Sequence, residues 1–390
     1  MAFETVVALD AGGATLKASV ASVASSSVSA SVVQLANHAA TPVGGSSASL
    51  ILGAELAELE RRRSRLNYVR PIERGYCVNW NVEAELYGYL MGSNGLNVES
   101  SSSALVATAP PAAPTQVNDT MDQVVFEELG FQAFARVSGP EMCVLSYADH
   151  CRQSSSSNNN IKSPTKKRRK RAVDSNELSF ATSSCHLVID SGFSFTHVVP
   201  VIDGRAFLPG VKRLNVGGKL LTNYLKEVVS FRQWDVRDDT RVMDELKHAL
   251  CYCALDFDAE MRRVHGDRRQ RKRWALPDYV TSFEGRLLDD DAGLDDQQAL
   301  EMGVEMVAVP EVLFHPSDIG IHQAGLAETV MQAVNACPVE YRGALLDNML
   351  LVGGNTKFLH FATRLEQDLR PLVPDEYTIS IHTPPELWGW

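Results

Sequence analysis

Two short stretches constrain this chain more than any bulk property: VALDAGGATLKASV at residues 7–20 and LVIDSGFSFTHVVP at residues 187–200. Each is an apolar run, an Asp, a group of small residues with Gly, and a second apolar run. Asp, Ser and Gly favour turns for steric and hydrogen-bonding reasons, so each stretch reads as strand, turn, strand. A plain β-turn accounts for either one alone. The pair points to phosphate-gripping hairpins, whose backbone N–H groups face an anion while the Asp orders a hydrated metal. Asp10 and Asp190 each open one half of the chain, the pattern of duplicated α/β units that close on a nucleotide. On that reading both aspartates hold waters on magnesium, and Lys17 adds a point charge for the phosphates. A third element, VGGNTKF at 352–358, lets backbone approach a ligand through Gly353 and Gly354. No G-x-x-x-x-G-K-[ST] loop occurs.

A chain of 390 residues predicts two or more domains. Its 45% hydrophobic and 22% charged content fits a soluble globular protein. A formal charge of -11 repels nucleic acid and anionic membranes overall, so polyanion contacts must come from local basic clusters. No apolar run approaches the roughly 20 residues that span a bilayer. MAFETVVALD lacks the basic start and apolar core of a signal peptide. The seven cysteines include no CxxC pair, and Cys251 and Cys253, if helical, face different ways. They read as core thiols in a reducing compartment.

Strands and helices alternate along the chain, which is an α/β order. Asn79 reads as the cap of a helix starting near Trp80, GPEMCVLSYADH as a short helix, and MDELKHALCYCALDFDAEM as helical. Residues 151–184 break the composition and read as a disordered insertion or long surface loop. That segment carries Lys166, Lys167, Arg168, Arg169, Lys170 and Arg171 in one run. Such a run is either a solvated loop or a nuclear localisation signal; its exposed setting after a Ser-Pro favours the signal. A second basic cluster, Arg262 to Arg273, reads as an exposed loop rather than the alternative, a DNA contact, with the acidic 289–296 run as electrostatic neighbour. His197 and His315 read as structural.

RPIERGYCVNW, RLNVGGKLLTNYL, CYCALDFDAEM and LLVGGNTKF stand in the order of matching segments in actin and the actin-related proteins, and the chain resembles that family outside residues 20–68 and the insertion. VVFEELGFQA, VIDSGFSFTHVVP and VPEVLFHPSDIGI resemble the nuclear actin-related proteins of Swr/SRCAP-type chromatin remodellers more than actin itself. The resemblance implies an α/β, actin-like fold of the actin/Hsp70/hexokinase type, with two lobes, four subdomains and a nucleotide cleft between the lobes. It implies an N-terminal lobe at 1–150, an insertion at 151–184 and a C-terminal lobe at 185–390, with about 373–390 returning to the first subdomain. It implies ATP or ADP with Mg as cofactor. By motif match, Asp10, Gly12, Gly13 and Lys17 fall on the first phosphate loop, and Asp190, Ser191 and Gly192 on the second. Gly218 falls on a cleft glycine, Lys247 on the adenine side, Gly353, Gly354 and Asn355 on the adenosine loop, and Phe358 beside the base. The implied partners are a remodeller ATPase subunit, a zinc-finger HIT protein and other complex subunits. Contact with nucleosomal DNA or histone is included, a membrane and a homopolymer are not.

The chain departs from actin in ways that bear on chemistry. Gly13 and Ala14 replace a phosphate-binding Ser and a Gly, and Phe193 with Ser194 replaces an acidic residue and a Gly. Ser138 and Gly139 fall where actin keeps the Gln that positions the attacking water, and Gln132 lies six residues earlier. Water positioning is a large part of nucleotide hydrolysis, so the expectation is nucleotide binding with little turnover. The alternatives are an actin-like ATPase and a filament-related protein. The stretch around 30–68 keeps no recognisable DNase-binding loop, and PPELWGW stops short of the family's final Gly pair and helices, by truncation or divergence.

Overall fold

The structure, a computed structural model, describes residues 3, 5–22, 27–28, 32–43, 49–62, 66–157, 175–280, 282–288 and 298–384. The basic run 166–171 and the acidic run 289–296 lie outside the described residues. The chain forms two compact units: residues 1–137 with 219–251 and 258–309, and residues 138–218 with 252–257 and 310–390.

In the first unit, β1 (Thr5–Ala11) and β2 (Thr15–Ser22) form an antiparallel hairpin, with Thr5 opposite Ser22 and Ala11 opposite Leu16. The short strands β3 (Ser27–Val28) and β4 (Val33–Ala36) both pair with β2. On the other side, β5 (Ser103–Ala109) runs parallel to β1, and β6 (Ala133–Ser138) follows at the edge. Alternation along the hairpin buries Val7 and Leu9 on β1 and Leu16 and Ala18 on β2. Helix α1 (Trp80–Met91) covers that face: Val82, Leu86 and Leu90 recur at i, i+4, i+8 and share one core with Val7, Leu16 and Leu105. Its N-terminus is capped as the sequence predicts, Asn79 Oδ1 accepting from Val82 N–H at 3.3 Å.

The second unit repeats the plan. β7 (Cys185–Ser191) and β8 (Thr196–Ile202) form the hairpin, with Cys185 opposite Ile202 and Ser191 opposite Thr196. β9 (Arg205–Ala206) and β10 (Lys212–Leu214) pair with β8, while β11 (Met349–Val352) runs parallel to β7 and β12 (Ile381–His382) parallel to β11. β7 is buried almost continuously, as a strand flanked on both sides should be.

Three local expectations change. The helix after Ser138 is not short: it spans Gly139–Ser157 and runs into the segment read as an insertion. Ser175–Thr182, inside the same segment, is also helical. Cys151 and Phe180 explain both, since each is fully buried, and Phe180 meets Tyr147 edge-on at 4.9 Å. Together with Val144, Tyr147, Ala148 and Ala181 they pack both helices on the second unit's sheet. The helical run over 243–261 is broken. Thr240–Leu250 ends at Cys251, and Phe257 starts a new helix. Between them Cys253 N–H donates to Leu359 O, and Ala254 O accepts from Arg364. Tertiary partners therefore hold the CYC segment extended, against its helical pattern.

The basic cluster 262–273 is spread over a helix end, a short 3₁₀ turn and strand Lys272–Ala275. Three of its arginines are in ion pairs: Arg263 with Glu260 at 2.6 Å, Arg269 with Asp267 at 3.2 Å, Arg271 with Glu301 at 2.5 Å. Among the described residues no helix is long and apolar enough to cross a membrane.

Candidate functional site

The two hairpins have the same turn. In the first, Gly12 N–H donates to Thr15 O at 3.1 Å; in the second, Gly192 N–H donates to Phe195 O at 2.9 Å. Asp10 stands opposite Lys17, and Asp190 opposite His197. Each turn is gripped from behind by a buried asparagine. Asn37, 0% exposed, donates its Nδ2 to Gly12 O at 2.9 Å and its backbone N–H to Ala14 O at 2.8 Å. Asn355, 2% exposed, donates Nδ2 to Gly192 O at 2.8 Å and to Ser191 Oγ at 3.2 Å. Gly218 N–H adds a bond to Gly192 O at 3.0 Å.

These clamps have a directional consequence. In a planar trans peptide the C=O and the following N–H point opposite ways. Holding Gly12 O and Gly192 O toward the interior aims the N–H groups of Gly13 and Phe193 away from it. Each turn thereby directs one backbone N–H outward, the orientation from which anion-binding backbone is built. The first aspartate and the base of the second turn are held too. Thr108 on β5 donates its Oγ1 to Asp10 Oδ1 at 2.9 Å while accepting from Ala11 N–H at 3.0 Å. Ser191 Oγ and Thr196 Oγ1 lie 2.8 Å apart, and Thr196 Oγ1 donates to Val216 O.

The hairpins differ in charge. Lys17 is a cation opposite Asp10. His197 is held neutral: burial, then the nearby Arg213 guanidinium, push its imidazole down to about 4.

Gly353 packs on the second hairpin itself. Its φ is +93°, and a Cβ there would stand 2.3 Å from Ser191 O and 2.9 Å from Asp190 Oδ1. Gly354 has nothing within 4 Å of the equivalent point, so its side is open. Phe358 is buried and directly follows the 3₁₀ turn Gly354–Lys357. Lys247 belongs to the first unit and is 1% exposed, its ammonium donating to Asp244 Oδ1 at 2.6 Å and Thr222 Oγ1 at 2.8 Å. Ser138 ends β6 and Gly139 opens the following helix, with nothing within 4 Å of the missing Gly139 Cβ. The structure thus brings Asp190, Ser191, Gly192, Gly218, Gly353 and Asn355 together, and Asp10, Gly12, Gly13 and Lys17 together.

Sequence reasoning missed Asn37 and Thr108. Neither lies in a motif. Asn37 follows a four-residue strand, and Thr108 is one of several small residues on β5. Among the described residues no cluster of three His, Cys, Asp or Glu could hold a metal directly.

A hairpin duplicated in two α/β sheets, each with its Asp and clamped Gly turn, defines a protein of the actin fold class. The family description Actin matches residues 2–388, and the chain belongs to the actin family. That family binds adenine nucleotide with a divalent cation. The chain is 34% identical over 336 residues to Actin-like protein ARP6 of Yarrowia lipolytica, covering 86% of this chain and 78% of that protein. It is 32% identical over 338 residues to Actin-related protein 6 of Drosophila melanogaster, covering 85% and 79%. With Actin-related protein 6 of Arabidopsis thaliana it shares 34% identity over 339 residues, covering 80% and 75%.

Proposed function

We propose that this chain is a nuclear actin-related protein that serves as a structural subunit of a chromatin-remodelling complex exchanging H2A for H2A.Z. It binds ATP or ADP with magnesium and hydrolyses it little. The similarity to proteins named actin-related protein 6 along most of the chain supports the subunit role. The nucleotide half rests on the matched pair of asparagine-clamped turns. For phosphate and hydrated magnesium this reading uses Asp10, Gly12, Gly13 and Lys17 of the first hairpin and Asp190, Ser191 and Gly192 of the second. Gly218, Asn355 and Gly353 shape the second turn. Gly354, Lys247 and Phe358 serve the adenosine.

Weak hydrolysis follows from Ser138 and Gly139, which cannot reach and orient a water as Gln does, and from Gly13, which lacks a hydroxyl. The role is then architectural, with the motor in another subunit, and the chain joins that ATPase subunit to a zinc-finger HIT protein near nucleosomal DNA or histone.

The test is thermal unfolding with and without ATP and magnesium. A ligand at a hundredfold excess over its dissociation constant adds about 2.7 kcal/mol, so the melting temperature should rise. Asp190→Ala should abolish the rise, and phosphate release should stay near background. Turnover at the rate of actin filaments would favour an actin-like ATPase instead. Filaments pelleting in magnesium and KCl would overturn the subunit reading. Affinity purification from nuclear extract should recover remodeller subunits.

A further inference from the structure

Behind the first turn lies a buried titratable group that the nucleotide reading does not use. Glu83 on α1 is 1% exposed, with no basic side chain among the groups acting on it. Asn37 Nδ2, which holds Gly12 O, also approaches Glu83 Oε1 at 3.4 Å. Counting donors exposes a mismatch. Both N–H bonds of the Asn37 amide are used and the Tyr87 hydroxyl also bonds Glu83, yet among the described residues Asn37 Oδ1 and Glu83 Oε2 are buried acceptors with no partner. Two unsatisfied acceptors in one buried pair are costly. A single proton on Glu83 Oε2 turns one of them into a donor and leaves the other as its natural acceptor.

The surroundings agree. Burial pushes the Glu83 carboxyl up to about 7, against the lowering hydrogen bonds from Tyr87 and Asn37. The other titratable groups facing it stay uncharged there. Burial, and then Glu83, raises the Tyr87 phenol well above its usual range and the Cys77 thiol to about 12. Asp10, at the end of β1, reaches the cluster through its field on Tyr87.

We propose that Glu83 is a positioning residue of the first phosphate turn: a proton shared with Asn37 keeps the amide aimed at Gly12 O, and losing that proton releases the turn and weakens phosphate binding as pH rises through neutrality. The proposal rests on the nucleotide reading above for its ligand, but not for its proton. An ionised Glu83 sets two bare acceptors against each other, turns the Asn37 amide, and places negative charge behind a site for an anion. By linkage, a bound phosphate raises proton affinity at Glu83, so nucleotide and proton bind together.

Two measurements test this. The infrared spectrum of wild type at neutral pH should contain a protonated-carboxyl band that Glu83→Gln lacks. This arm needs no nucleotide, and wild type alone suffices if the variant does not fold, because loss of the band on raising the pH identifies a titrating buried acid. Binding of magnesium ATP is then titrated from pH 6 to pH 8 in both proteins, so that the nucleotide's own protonation cancels. Wild-type affinity should fall about tenfold further than that of Glu83→Gln, whose amide keeps a donor toward Asn37 Oδ1 at every pH; this is the size of one unit of linkage. Absence of the band overturns the proton. Parallel pH profiles overturn the coupling. If the band is present and neither protein binds ATP, the nucleotide reading fails and takes the coupling with it, while the proton stands.

Discussion

Gly353 stands where a Cβ would lie 2.3 Å from the carbonyl oxygen of Ser191. Backbone cannot yield as a flexible side chain can, and φ of +93° is itself unfavourable for an L residue. Gly353→Ala should therefore destabilise the chain by about 2–4 kcal/mol, combining strain with overpacking. Gly354→Ala, with open space at its Cβ, should change stability by less than about 1 kcal/mol. Denaturant midpoints check both. If Gly354 lines the adenosine, its variant should lose nucleotide affinity at unchanged stability.

His197 makes the stability pH-dependent in a defined direction. Its folded pKa is about 4, below the ordinary 6.5, through burial first and Arg213 second. As pH falls, the unfolded chain takes up the proton before the folded one. The contribution is thus complete above 6.5 and disappears between 6.5 and about 4. The steepest slope is about 1.4 kcal/mol per pH unit. Urea unfolding across that window should show the loss in wild type, and His197→Gln should remove this component of the slope.

Arg364 is buried in the second unit and grips Glu311 with two bonds, Nη1 to Oε2 at 2.9 Å and Nη2 to Oε1 at 2.8 Å. It also donates to Ala254 O at 2.6 Å, fixing the non-helical segment after Cys251. Arg364→Met should cost about 3–5 kcal/mol, because it leaves the buried Glu311 carboxylate short of a partner. His315, 2.6 Å from Glu311 Oε1, only partly compensates. Combining Arg364→Met with Glu311→Gln should recover part of the loss, readable as non-additive midpoints in a double-mutant cycle.

The basic run tests localisation separately from fold. Replacing Lys166, Lys167, Arg168, Arg169, Lys170 and Arg171 by Ala should weaken nuclear import and leave the melting temperature unchanged within about 1 °C. Imaging of a tagged chain reads the first, calorimetry the second. Undiminished nuclear signal in cells lacking the partner subunits would remove the localisation assignment.

The paired hairpins, the Asn79 cap, the strand before Gly353 and the α/β order were legible in the residues because each is written locally. Alternation, turn residues and capping depend on neighbours a few positions apart. The insertion boundaries and the CYC segment were misread for the complementary reason. A composition that is polar on average hides single anchors such as Cys151 and Phe180, and a helical pattern yields where Leu359 and Arg364 supply distant partners. The clamps show the same division at the candidate site. Asp10 and Gly12 announce themselves in sequence. Only packing brings Asn37 and Glu83 behind them, since a buried polar contact is chosen by which side chains the folded core encloses and by the cost of leaving their donors and acceptors unmatched.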